Sequence, residues 1–244
     1  MLTRVFVVIA LLACNSNAAK LQPSSTGQNW QDLEVITLNS QGDPAETVYY
    51  GYDQLLTLPT VTVKTERDPN TGTPATYTGV YISDLFEAFG TDASLDVIGA
   101  NCLDKYKQYY DRDHIAKHRP ILLLKFDDNL PDDWPHTEQG STLGPYCVVY
   151  ESFRPMEATY GYVEEPRIPY GVVSLELTRF GQSLGRFTPK RNRNDPEVVK
   201  GQKIVVGSCI SCHETAMRAG TRLVSRWRCS QRGRRPPKGI LERR

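Results

Sequence analysis

The sequence predicts an α+β protein, a mixed and mainly antiparallel sheet domain followed by a small, incomplete α-helical segment. Three observations predict it. Short apolar or alternating runs bounded by Gly, Pro, Asn and Asp recur along residues 33–188 and read as strands. Helical periodicity over the same span is confined to brief stretches, so strands outnumber helices. No internal repeat divides the chain, and 39% hydrophobic with 23% charged residues suit a globular protein.

The chain opens on an export signal over residues 1–19. Arg4 supplies the positive start, Val5–Ala13 a nine-residue apolar run too short to span a bilayer, and small residues follow. Two cleavage schemes stay open. Leu11-Leu12-Ala13-Cys14 resembles the lipobox of bacterial lipoproteins, which implies lipid on Cys14 and a membrane tether; the rival is ordinary cleavage after Ala18 or Ala19. Either scheme places the mature chain outside the cytoplasm, in the periplasm of a bacterium. Residues 20–32 read as a linker.

The domain over 33–188 then runs in order. L-E-V-I-T-L at 33–38 suits a strand, Gln41-Gly42-Asp43-Pro44 a turn, and residues 47–59 a strand with a short helical turn ending before Pro59. T-V-T-V-K-T-E at 60–66 alternates cleanly, and Asp68-Pro69-Asn70-Thr71-Gly72 makes a hairpin tip. Residues 76–90 carry the best helix signal, with Ser83 as cap, Leu85, Phe86 and Phe89 on one face and Gly90 as stop. Residues 95–100, 120–126, 144–153 and 172–180 read as further strands, and Asp127–Gly144 as a long acidic loop.

Few residues in this domain suggest chemistry. His114 and His118 are four apart and share a helix face, which allows a metal pair; Lys117 and Arg119 beside them favour a solvated basic face. His136 lies near Asp132 and Asp133 with no fixed partners. Tyr106, Tyr109, Tyr110, Tyr146 and Tyr150 suit packing at a sheet edge better than a redox relay. No Ser-His-Asp order, phosphate loop or paired-carboxylate signature stands out. Cys102 and Cys147 either pair in an oxidising compartment or stay buried and free; a bridge would close a loop of 44 residues and contribute on the order of 3–4 kcal/mol.

The strongest motif is Cys209-Ile210-Ser211-Cys212-His213. Two thiols two residues apart, followed by an imidazole, match the attachment of a c-type haem. The thiols reach two vinyl groups of one porphyrin and the histidine takes an axial position on the iron. A zinc half-site would want a second ligand pair, and Cys229 stands alone. Asp195-Pro196 opens a helical run into the motif, and residues 195–217 resemble the opening helix and haem-binding turn of a class I cytochrome c. The resemblance implies one covalent haem c, with Cys209 and Cys212 as thioether donors and His213 as iron ligand.

The net charge of +1 conceals an asymmetry. Residues 1–213 carry 19 Lys+Arg against 26 Asp+Glu, a balance of −7, whereas residues 214–244 carry 10 against 2, a balance of +8. Nine arginines and Pro236-Pro237 predict a basic, unstructured tail over 218–244. A class I cytochrome c instead continues into a distal methionine and a final helix, so the resemblance stops short here. A shifted reading frame, a basic tail for nucleic acid or membrane, and a haem site completed by another chain each explain this. The composition changes within a few residues of the motif, which favours the first, and no nucleic-acid partner is expected.

A second resemblance covers about residues 33–160. The order Y-D-Q-L-L-T-L-P, a strand, Y-T-G-V-Y-I-S-D-L-F-E-A-F-G, L-D-V-I-G-A-N-C-L-D-K-Y, P-I-L-L-L-K-F-D and G-P-Y-C-V-V-Y is similar to the sulfite-oxidase-like molybdopterin-binding domain. That family places its metal thiolate between the L-P stretch and the following helix, and Thr60–Gly79 contains no cysteine. The resemblance therefore implies a fold kept without molybdopterin chemistry. Together the readings predict an exported c-type cytochrome, an electron carrier rather than a catalyst, whose sheet domain docks a periplasmic redox partner. The alternatives are a molybdopterin-dependent oxidoreductase with a fused haem, and a haem-free binding domain.

Overall fold

In the computed structural model, which describes residues 21–137, 140–153 and 165–210, nine strands form one sheet with short helices packed on it. The α+β class predicted above is the class observed. The first hairpin joins β1 (Leu33–Leu38) to β2 (Pro44–Tyr50), and α1 (Tyr52–Leu55) follows where the helical turn was expected. A second hairpin joins β3 (Val61–Thr65) to β4 (Ala75–Tyr81), with Asp68 accepting from the backbone N–H groups of Asn70 and Thr71 at its tip. Helix α2 (Ile82–Ala88) follows directly, then β5 (Val97–Cys102), β6 (Lys107–Asp111), α3 (Arg112–His118) and β7 (Pro120–Phe126). Strands β8 (Tyr146–Tyr150) and β9 (Tyr170–Thr178) complete the sheet, and α4 (Phe180–Ser183) and α5 (Pro196–Ile204) end the described chain.

The helix expected over 76–90 is half strand. Residues 75–81 alternate between faces and pair with both β3 and β7, so cross-strand pairing outweighs the helical pattern until Ile82. Ser83 does not cap α2, because the N-cap position is Tyr81 and the Ser83 hydroxyl donates to Asp84 at 2.9 Å. Gly90 does stop the helix, at φ +64° with its N–H on the Glu87 carbonyl.

The strand order is β2-β1-β9-β8-β7-β4-β3, and β5 joins β9 to the outer strand β6. Only β1 and β9 run parallel among these pairs; the others are antiparallel. The sheet forks at β9, where Val172 has Cys102 on one side and Tyr146 on the other. Near-continuous apolar runs in β7 and β8 follow from burial on both faces. Leu122, Leu124, Tyr146 and Val148 face the larger core with α1 and α2, while Ile121, Leu123, Cys147 and Val149 face a second core with Trp134 and Leu143. Each such side chain, fully buried, contributes roughly 1.5–3 kcal/mol.

The bridge considered between Cys102 and Cys147 is not formed. Both thiols are free and buried, and the alternation along β8 turns Cys147 away from the core that holds Cys102. Burial pushes the Cys102 thiol up to about 12 and the Cys147 thiol higher. No helix among the described residues is long and apolar enough to cross a membrane. The export signal with Cys14, and the Arg-rich tail, lie outside the described residues.

Candidate haem-attachment segment and the face that seats it

Helix α5 begins where the sequence places it. Asp195 is the N-cap, its carboxylate accepting from the Glu197 N–H at 2.9 Å, and Pro196 fills the first turn, where no N–H is needed. The helix continues into a π-type turn over Val205–Cys209. That turn adds a residue per bond and brings Val206 and Ile210 onto the sheet side, where they are 3% and 1% exposed. They pack with Val97 of β5, Tyr109 of β6 and Leu184 after α4, flanked by Phe180, Phe187 and Val205.

Polar contacts also hold this segment, among them Gln202 Nε2 donating to the Thr188 hydroxyl at 3.3 Å. Gln108 donates from Nε2 to the Gly207 carbonyl at 3.3 Å, and Lys203 pairs with Asp113 of α3 at 2.8 Å. The Arg167 guanidinium occupies the space where a Gly207 side chain would project. Arg167 in turn donates from Nη1 to the Tyr109 carbonyl at 3.0 Å. Gly99 plays the matching part on the sheet, where the Tyr109 ring comes within 3.1 Å of the position a Cβ would take.

Cys209, the first residue of the attachment motif, ends the π-type turn and is half-buried. It is thus nearer to solvent than Cys102 and Cys147. Cys212 and His213 lie outside the described residues. Two thiols and an imidazole at this spacing are a donor set that would suit a haem, with Cys209, Cys212 and His213 as the residues to hold it.

The histidine pair departs from expectation. His114 and His118 are buried rather than on a solvated basic face, at 7% and 3% exposure. The reason is that α3 has one core-facing stripe, set by Ile115, and His114 and His118 share it. Asp111 caps the helix, accepting from the His114 N–H at 2.8 Å. The Tyr110 and Tyr150 hydroxyls both donate to the Arg167 carbonyl, at 2.9 and 3.2 Å, which leaves the Tyr150 oxygen to accept from His114 Nε2 at 3.0 Å. His118 stacks on Phe153 at 4.3 Å between ring centres. Burial, then Arg167, His118 and Lys117, push the His114 imidazole down to about 2, so it is neutral.

A cavity of about 50 Å³ beside this cluster is lined in part by His114, His118, Arg167 and Val206. Sequence reasoning missed Arg167 and Gln108, whose roles arise from pairing between distant segments and leave no local pattern. Tyr109 and Tyr110 pack on the outer strand β6, as expected of a sheet edge, whereas Tyr146 lies on the inner strand β8; all three are at 2% exposure or less. His136 bridges to Thr142, and no group of three His, Cys, Asp or Glu suited to a metal occurs among the described residues.

No protein-family model matches the chain, and no curated protein matches it. Among solved structures, the sulfane dehydrogenase SoxCD from Paracoccus pantotrophus is similar with a TM-score of 0.35 and 13% identity, over 63% of this chain and 40% of that one. The chain therefore spans less than half the length of that solved protein.

Proposed function

We propose that the chain is an exported electron carrier of the c type, with one haem bound through Cys209 and Cys212 and with His213 as iron ligand. The sheet domain is the body that meets a redox partner protein in the periplasm, and lipid on Cys14 tethers it to the membrane. The observation that carries the reading is the C-I-S-C-H run at the end of a capped helix seated on the sheet. The residues around it have separate tasks. Val206 and Ile210 anchor the segment, Gln108 and Lys203 set its position, and the Cys209 and Cys212 thiols would hold the haem through thioether bonds.

A molybdopterin-dependent oxidoreductase is the weaker reading. Thr60–Gly79 offers no thiolate, and Cys102 and Cys147 are buried and held protonated.

The test is covalent haem content after expression of the full chain in a host that matures c-type cytochromes. Haem should survive denaturing electrophoresis in the wild type, fall sharply in Cys209→Ser and Cys212→Ser, and stay unchanged in Cys102→Ser. Haem retention that ignores Cys209 and Cys212 would overturn the proposal.

A further inference from the structure

We propose that the corner of the sheet domain around Trp30, Leu103 and Leu130 docks a basic electron-transfer protein, one whose contact face is an apolar centre ringed by lysines. These three are the exposed large hydrophobic side chains among the described residues, at 51%, 60% and 46% exposure. They come from three distant segments that border Gly144 and Gly171. The Trp30 ring lies 3.4 Å from the position a Gly144 Cβ would take, and the carbonyl of Pro131, the neighbour of Leu130, lies 3.1 Å from that same position. The Leu103 side chain lies 3.5 Å from the corresponding position of Gly171, and the Gly144 carbonyl is 3.7 Å from it. Two adjoining glycines therefore link the Trp30 ring, the Leu103 side chain and the Leu130-Pro131 segment.

The corner is also held in shape. Leu103 N–H donates to the Gly171 carbonyl and Gly171 N–H to the Leu143 carbonyl, both at 2.9 Å. The Trp30 indole donates to Asp132 at 2.9 Å, which ties the ring to the turn over Pro131–Asp133. Single exposed apolar residues are ordinary on a protein surface, but three brought together from separate segments mark an interaction face. A pre-set tryptophan is the kind of anchor that dominates such faces.

Charge selects the partner. The segments 28–32, 101–106 and 127–133 carry Asp32, Asp104, Asp127, Asp128, Asp132 and Asp133 against Lys105 alone, a balance of −5. An apolar centre within a polar rim is the usual anatomy of a transient interface, and an acidic rim steers a cationic partner into register. The partner's redox class rests on the electron-transfer reading above, whereas the surface and its preference for a basic protein do not.

The experiment uses the full chain, expressed with haem maturation and assayed first for covalent haem, then for binding of a lysine-rich mitochondrial cytochrome c and of an acidic ferredoxin. Binding of the basic probe should weaken about tenfold between low and near-physiological salt. Leu103→Ser and Trp30→Ala should each weaken it about fivefold. Paired Asp104→Asn and Asp128→Asn should flatten the salt dependence, and Glu46→Gln on β2 should change nothing. Indifference of binding to the corner variants, preference for the acidic probe, or self-association abolished by Leu103→Ser would each overturn the proposal. A haem-free chain that still binds through the corner supports the surface and sinks the electron-transfer reading; a haem-bearing chain that ignores the variants sinks the surface alone.

Discussion

Burial among Tyr110, Tyr150 and Phe153, reinforced by Arg167, His118 and Lys117, holds His114 neutral with its imidazole pushed down to about 2. The sign of the consequence follows from the unfolded chain, where histidine titrates near 6.5. Below that pH the unfolded state binds a proton that the folded state refuses, so the stability His114 contributes is complete above about 6.5 and is lost as pH falls. Between pH 6.5 and 4.5 the loss is roughly 2–3 kcal/mol. Urea denaturation across this range should show a steeper decline for the wild type than for His114→Gln; parallel curves would contradict a buried neutral imidazole. Gly79 makes a second residue-scale prediction. It sits at the irregularity between β4 and β7, where a side chain would strike the Leu122 carbonyl. Gly79→Ala should cost about 1–3 kcal/mol in the same assay. Neither effect is legible in the sequence, because each depends on what a strand or helix from elsewhere brings alongside.

At the scale of elements, what could be read and what could not have physical reasons. Alternation at 33–38 and 60–66, the apolar run at 120–126 and the Asp195-Pro196 start of α5 are local signals, and the structure places an element at each. Residues 76–81 failed as helix because β3 and β7 flank them on both sides. Lys117 and Arg119 give the sequence around His114 and His118 a solvent-facing look, whereas Ile115 turns that helix face inward. The attachment segment was legible as a motif but its seat was not, since Val97, Tyr109 and Leu184 come from three other parts of the chain. Val206→Asp should release this segment while leaving the sheet intact, because α5 itself buries no residue of its own. Hydrogen exchange should then accelerate over 196–210 and stay unchanged in β7 and β8. Equal acceleration everywhere would show that the segment supports the whole fold.

For the molecule as a whole, the sheet separates two cores, and that separation decides the cysteines. Cys102 and Cys147 stay apart because they face different sides. In the native protein both should resist alkylation, and both should react once denaturant is added without reductant; a single species lacking both thiols would reveal a bridge. The parallel pairing of β1 with β9 joins the two ends of the sheet domain, a nonlocal contact that no local pattern announces. The pairing of β9 with β5 brings α4 and the turn over Val205–Cys209 alongside β5 and β6. The most direct test of the electron-carrier proposal is an intact-mass measurement with a reduced-minus-oxidised absorbance spectrum on the full chain matured with c-type haem. The account predicts the mass of one covalent haem and a reducible band that persists in denaturant; an apo mass with no such band would contradict it.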